Sequence, residues 1–455
     1  MFKKISILFL LAFFLITSGF GCKITDKETQ EAMKPVTLRF WRVFDGQDAF
    51  DQIIANYRTL HPFINIEYRK LRYEEYEAEL LNALAEDRGP DIFSIHNTWI
   101  KKYQSKLVPM PATITMAYPV TRGTIKKETI PELRTTASLS LKDIRDKFID
   151  TVSYDVISDE QRVYGLPLFV DTLVLLYNRD LFNNAGLSEI PQYWNSEFLQ
   201  NVKKMTKQNQ KGEIIQSGIA LGGTTNISRF SDILSLIMMQ NGATLLSNKS
   251  ILFNQNLPGS NYNPGVEALR FYTDFANPLK ESYTWNSSLP NSLEMFISGQ
   301  AAMIFAYSYD LPTIKTRAPK LNFSIAHVPQ IEGTPPTNVN FANYWVEVVS
   351  KKSKNVNEAW DFIQFITRED QAKIYLEKTG RPTALKSLII TQKNNDEIKV
   401  FADQLLTAKS WYRGYSPQVA ESAFKEMIDT VNSSSGQKLE DIINRAADKL
   451  QQTVY

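Results

Sequence analysis

From Val36 onward the apolar residues switch repeatedly between a two-residue and a 3.6-residue period, and this alternation limits what the chain can fold into. Val36 to Trp41 reads as a strand, and Phe50, Ile53, Ile54 and Tyr57 then fall at i, i+3, i+4 and i+7, one face of a helix over Ala49 to Tyr57. A strand follows at Ile64 to Tyr68 and a helix at Tyr76 to Ala85. Arg88-Gly89-Pro90 stops that helix ahead of a buried strand at Asp91 to Ile95. Strands alternating with helices of this length predict a largely parallel sheet covered on both faces. In such sheets ligands sit beyond the carboxyl ends of the strands, which singles out the loops Arg42 to Gln47 and His96 to Trp99.

The alternation resumes further on. Strand patterns occur at Leu173 to Tyr177, Ala302 to Ala306, Phe323 to Val328 and Trp345 to Val349, with helices at Ser196 to Thr206, Ser228 to Gln240 and Val356 to Ile366. Leu439, Ile442, Ile443, Ala446 and Leu450 mark a terminal helix. Between Leu107 and Asp159 periodicity fails, and this stretch is expected to be loops with a short helix near Leu141 to Thr151. A chain of 455 residues exceeds the ~250–300 residues at which single cores stop growing, so two lobes are expected.

The N-terminus has the character of an export address. Lys3 and Lys4 precede the apolar run Ile5 to Ile16, which suits a secretory signal and is short for a membrane-spanning helix. The single cysteine, Cys22, follows Ser18, Gly19, Phe20 and Gly21. The arrangement resembles a bacterial lipoprotein signal, which implies a leader over residues 1–21, lipidation of Cys22 and a tether over 22–35; an ordinary secretory signal is the alternative. Lys plus Arg number 51 against 49 Asp plus Glu, and Lys3 and Lys4 supply the surplus. This balance gives no electrostatic reason for a nucleic-acid partner.

Motifs for catalysis are sparse. The three histidines, His61, His96 and His327, lack metal-ligand spacing, and one cysteine excludes a multi-cysteine metal site or a disulfide framework. There is no Gly-x-Ser-x-Gly turn, and Gly222-Gly223-Thr224-Thr225-Asn226 lacks the Lys of a phosphate-binding loop. His61 reads as a surface or capping residue and His327 as a satisfied strand residue, whereas His96 lies in a candidate binding loop. Two acids facing each other across ~5–9.5 Å would suffice for glycoside hydrolysis, so spacing alone leaves an exported carbohydrate-active enzyme open.

Several segments occur in a characteristic order: Leu38 to Trp41, His61-Pro62, Gly89-Pro90-Asp91-Ile92, Tyr164-Gly165-Leu166-Pro167, Leu176 to Phe182, Ala185-Gly186-Leu187 with Trp194, Phe296 to Met303, Val349 to Ser353 and Ala359 to Phe362. Together they resemble the extracellular solute-binding proteins of ABC importers, the family that includes maltose- and oligosaccharide-binding proteins. The resemblance implies a two-lobed α/β fold of the type II periplasmic-binding-protein kind, with mainly parallel sheets flanked by helices and three hinge crossings. These crossings fall near Pro167 to Asp171, Asn343 to Val346 and Gly380 to Thr383. The N-lobe would comprise 36–168 and 346–381, and the C-lobe 169–345 and 382–455. The resemblance further implies a binding protein rather than an enzyme, monomeric, with no cofactor or metal. It would be exported and lipid-anchored, and would deliver a carbohydrate, an oligosaccharide or glycoside, to the permease subunits of the transporter. A non-sugar solute stays open, although an anion would need convergent Arg or Lys, for which Arg42 and Arg381 are the evident candidates.

A sugar presents apolar C–H faces and a rim of hydroxyls, and is held by aromatic plates together with carboxylates or amides. By position in the family pattern, Asp45, Asn97, Trp99 and Asp171 are candidate ligand residues, joined by His96 from its place in a loop after a buried strand, by Tyr307, Tyr309, Tyr344, Trp345 and Arg381, and by Trp285 and Trp411 in C-lobe loops. Several have a structural alternative, and for His96 a structural role is as good a reading as ligand contact. Asp45 suits a turn, Asp171 suits capping of hinge amides, Arg381 suits a pair with an acid across the hinge, and Trp285, Trp345 and Trp411 suit packing as well as stacking. Trp41, Trp194 and Trp360 lie within elements and are assigned to the core.

Overall fold

The strands that are apolar on both faces take the interior of the first sheet. Trp345–Ser350 is buried throughout and Ile92–His96 nearly so, and they lie side by side in a five-stranded sheet. Its order is Ile64–Leu71, Val36–Val43, Ile92–His96, Trp345–Ser350 and Leu107–Val108. The computed structural model describes residues 34–123, 127–333, 338–433 and 436–454. The expected leader, Cys22 and most of the tether lie outside the described residues.

Val36–Val43 pairs in parallel with both Ile64–Leu71 and Ile92–His96. Trp345–Ser350 runs antiparallel, with Trp345 opposite His96. The reason is topological. This strand enters from the second lobe, so it starts where the parallel strands end, and their carboxyl ends are thereby aimed at that lobe. The crossing segment around Leu166 is zipped against the same strand by reciprocal Leu166–Glu347 backbone bonds of 3.1 and 3.0 Å. Gly165 permits that approach, since a Cβ there would stand 2.9 Å from Val348 Cγ1 and 3.0 Å from the Glu347 carbonyl.

The second lobe departs from the expectation of mainly parallel sheets. Val174–Asn178 lies between Met303–Ala306 and Phe323–Ala326 and is antiparallel to both, although the segment at Ser217 adds a parallel bridge at Ala301. Around it pack Phe230–Gln240, Pro264–Asp274, Pro417–Asn432 and Leu439–Gln451. The last buries Ile442, Ile443, Ala446, Ala447 and Leu450, an i, i+1, i+4, i+5, i+8 stripe. Pro264 and Pro417 open their helices at the first turn, where a missing N–H costs nothing.

Each lobe has its own buried apolar cluster, one holding Phe40, Phe93, Val348 and Trp360, the other Leu175, Ile233, Phe305 and Phe424. Between 382 and 408, where the sequence reading starts the last C-lobe segment, Ala384, Leu385, Leu388 and Leu405 join the first cluster while Phe401 joins the second. A small sheet spans the two lobes, with Asn340–Asn343 antiparallel to Asp171–Thr172 and parallel to Ala408–Lys409.

The stretch expected as loops instead contains a β-hairpin. Thr113–Arg122 and Glu128–Ala137 pair in register from Thr113↔Ala137 to Arg122↔Glu128. Pro119 faces Pro131, which would disqualify a central strand but is tolerated in a ribbon of two strands with no third strand paired to it among the described residues. Ile114, Met116 and Ala117 are buried. His61 anchors the hairpin and is not a surface residue: it is 2% exposed, with Nδ1 3.3 Å from the Ala117 carbonyl and Nε2 3.3 Å from Asp361 Oδ2. His327, by contrast, lies just past its strand and is more than half exposed beside Asp403. The expected helix near 141–151 forms as two, Leu141–Lys147 and Asp150–Val156, the first opened by a Ser140–Asp143 capping box.

Candidate binding cleft

The carboxyl end of Ile92–His96 runs directly into a short turn, Asn97–Trp99, facing the second lobe. His96 Nδ1 accepts from Thr98, 2.8 Å from its hydroxyl, leaving Nε2–H to donate to Asn343 Oδ1 at 3.2 Å. This is the neutral imidazole, in keeping with a pKa lowered to about 4 by burial and by Arg229. Asn343 Nδ2 then donates to Asp232 Oδ2 at 3.3 Å, where Tyr307 Oη also donates at 2.8 Å. Arg229 closes the relay with a two-pronged bond to Asp232 of 2.8 and 2.9 Å. A hydrogen-bonded chain thus runs from a first-lobe strand end through the hinge strand to a second-lobe helix. Arg229 holds its place in the left-handed region, φ 58°, at the start of Phe230–Gln240, a conformation that costs energy for a residue with a Cβ and clusters at functional sites.

A cavity of about 140 Å³ opens beside this relay, lined by Tyr73, His96, Asn97 and Trp99 from the first lobe and by Arg229, Asp232, Trp411 and Glu421 from the second. Aromatic rings line up next to it. Phe44 stacks on Tyr73 at 5.8 Å and on Tyr309 of the opposite lobe at 6.5 Å, and Tyr309 stacks on Tyr307 at 5.6 Å. Trp345 lies beneath, in edge or tilted contact with Phe44, His96 and Trp99. Phe44 also has a left-handed backbone, φ 68°, and is 44% exposed, an unusual state for a large aromatic.

The hinge side is dense with paired charge. Arg42 is 2% exposed, with Nε 3.0 Å from Glu347 Oε1 and Nη1 3.3 Å from Asp45 Oδ2. Asp45 also accepts from Tyr375 Oη at 2.7 Å and lies 3.5 Å from Arg381. Arg381 reaches to 4.0 Å from Asp171, and Asp171 takes the Ser308 amide at 2.9 Å, the Ser308 hydroxyl at 2.6 Å and the Thr172 amide at 3.0 Å. Burial pushes the Asp171 carboxyl up to about 6 despite Arg381 and these donors. It raises Glu347 in the same way against the opposing pull of Arg42.

The structure therefore sorts the candidate residues into groups. His96, Asn97, Trp99 and Trp411 line the cavity, with Tyr307, Tyr309 and Trp345 immediately behind or beside it. Asp45, Asp171 and Arg381 are committed to the hinge network. Tyr344 is fully buried and donates to Asp155 at 2.6 Å. Trp285 is not brought to the cleft: it is 0% exposed in the second-lobe core, and its indole N–H donates to Asn226 at 3.0 Å. Trp41 and Trp360 are core, and Trp194 is packed against the second cluster. Sequence reasoning missed Phe44, Tyr73, Arg229, Asp232 and Asn343. Phe44 lay within a loop already singled out, but Arg229 and Asp232 gave no signal beyond the start of a helix.

Comparison with known proteins places these features. A family model described as bacterial extracellular solute-binding protein matches residues 45–373. The chain is 26% identical over 235 residues to the multiple sugar-binding protein of Streptococcus mutans, covering 50% of this chain and 53% of that protein. It is 24% identical over 286 residues to the galactooligosaccharide-binding protein of Bacillus subtilis, covering 62% of each. The matched stretch thus spans between about half and three fifths of these relatives. In fold it is similar to the cyclic alpha-maltosyl-1,6-maltose binding protein of Arthrobacter globiformis, with a TM-score of 0.70, 17% identity, and coverage of 92% of this chain and 99% of that one.

Proposed function

Because the chain belongs to the bacterial extracellular solute-binding protein family, we propose that it captures a carbohydrate, an oligosaccharide or glycoside, between its lobes and hands it to an ABC permease. The observation that carries this reading is the meeting of an aromatic row with a polar relay at the seam between two separately cored lobes. Aromatic faces receive the C–H surfaces of sugar rings, and polar groups on the cavity wall, Asn97 and Glu421 among them, take the hydroxyls. The three strands of the small spanning sheet act as the hinge that lets the lobes close.

The geometry favours binding over chemistry. Asp232 already receives Arg229, Tyr307 and Asn343, and Asp171 receives Ser308 and Thr172. Both are held by structural donors, which leaves Glu421 as the one other acid among the lining residues, where glycoside hydrolysis takes a facing pair. The export signal and Cys22 complete the reading: lipidation there would hold the body at the cell surface next to the permease. Incubating the purified protein with a panel of neutral and acidic glycans tests it, with calorimetry for binding and chromatography for products. Binding with the glycan recovered intact is expected. Cleavage of any glycan at a rate abolished by a cleft substitution would overturn it.

A further inference from the structure

The cleft does not end at Asn97. Asn97 and Thr98 also line a second, larger cavity of about 650 Å³, whose other walls come from both lobes: Lys101, Tyr154, Asp155 and Asp159 on one side, Ser247, Lys249 and Arg413 on the other. Ligand cavities usually run to ~300–1,000 Å³. The second cavity falls within that range and the first, at about 140 Å³, below it.

Two observations give this second cavity a chemical preference. None of its three cations, Lys101, Lys249 and Arg413, has a carboxylate partner among the ion pairs of the described residues. Among the described residues Arg413 donates to the Ile157 carbonyl at 3.1 Å and lies over the Tyr154 ring at 4.7 Å, and Lys101 lies 5.6 Å from the Tyr415 ring. Of the two acids in the wall, Asp155 accepts from the neutral donors Tyr344, Ser410 and Asn97 and also feels the charge of Arg413, so three cations stand against two carboxyls, Asp155 and Asp159. Secondly, Asn97 is 5% exposed and its Nδ2 is committed to Asp155 at 3.0 Å, which turns Oδ1 away as a buried acceptor with no partner among the described residues. A buried acceptor left in this state costs free energy that a ligand hydroxyl would recover.

We infer that the solute extends past Asn97, gives a hydroxyl to Asn97 Oδ1 at the junction, and places an acidic group among Lys101, Lys249 and Arg413. The ligand class is thus an acidic oligosaccharide, bearing a carboxylate or a sulfate ester. Cations that face a cavity unpaired repel one another, and an anion brought among them gains charge-assisted bonds in a partly desolvated site. The inference rests on the carbohydrate reading above and narrows it.

The test uses three matched trisaccharides, neutral, uronate-terminated and sulfated, titrated calorimetrically at low ionic strength into the wild type and into the Lys101→Gln/Lys249→Gln double variant. Arg413 is left in place because it also holds the Ile157 carbonyl. An acid-bearing glycan is expected to bind about tenfold or more tightly than the neutral one, as one or two charge-assisted bonds would give. The double variant is expected to lose most of that preference, Arg413 carrying what remains, and to weaken the acid-bearing glycans more than the neutral one. Which acidic glycan gains distinguishes carboxylate from sulfate. Equal binding of all three, or a preference undiminished in the variant, overturns this inference and leaves the carbohydrate reading standing. No binding by any glycan overturns both.

Discussion

Two sets of cations sit within the same interlobe region and are handled in opposite ways. At the hinge, Arg42 and Arg381 are buried and locked to Glu347, Asp45 and Asp171. Beyond Asn97, Lys101, Lys249 and Arg413 line a cavity without a carboxylate partner among the described ion pairs. Paired charges withdrawn from water fix a geometry, because removing either partner strands the other in a low dielectric. Unpaired charges on a cavity wall are available to a ligand. The sequence reading nominated Arg42 and Arg381 for an anion, and their burial shows why residue type alone misleads: what matters is whether the cation has already been neutralised.

The sharpest way to break this comparison is Arg42→Met. It leaves the fully buried Glu347 without its cation, and thermal unfolding should show a loss of about 3–5 kcal/mol. Adding Glu347→Leu to the same chain should restore most of that loss, whereas no recovery would mean that Arg42 acts by packing alone. Next is Asp171→Ala, which strips the acceptor from the Ser308 amide and hydroxyl and should cost about 1–3 kcal/mol. Asp171 also has a pH signature. Its carboxyl is raised to about 6, so the native state holds the proton more tightly than the unfolded chain does. Its contribution is therefore full below the ordinary aspartate range and is lost as pH rises through about 6. Asp171→Asn should flatten that part of the stability curve.

His96 works in the opposite sense. Its pKa is lowered to about 4, so its neutral form stabilises the fold above the ordinary histidine range, and that stability drains away as pH falls towards 4. Allowing for its partial exposure, the contribution is about 1–2 kcal/mol, and His96→Gln should remove the slope in denaturant titrations. The smallest effect belongs to the other half of the comparison. Lys249→Gln should leave stability within about 0.5 kcal/mol of wild type, because the side chain is exposed and has no described partner to strand. A larger loss would show that this lysine is structural after all.

Much of the fold was legible because periodicity reports burial directly. Val356–Ile366 and the terminal helix stripe followed from their apolar spacing; of the two loops singled out, His96 to Trp99 lines the cavity, while Arg42 to Gln47 contributes Phe44 to the aromatic row beside it. The hairpin at Thr113–Arg122 and Glu128–Ala137 was not legible, because Pro119 and Pro131 are strand-breaking except in a ribbon whose edges are unpaired, and edges are a tertiary property. The relay from His96 to Asp232 was hidden for a similar reason: its members are separated by more than a hundred residues and meet only where the lobes touch. Trp285 was misleading in the converse direction. A tryptophan in a loop reads as a binding plate until the loop is seen folded into the core.

The account depends on the lobes closing over a bound solute. Small-angle X-ray scattering of the purified protein, with and without a glycan shown by calorimetry to bind, tests that most directly. The radius of gyration should fall and the scattering profile should narrow when the glycan is added, and Phe44→Ala should weaken the binding that drives the change. A glycan that binds in the cleft while the profile stays superimposable on that of the free protein would contradict it.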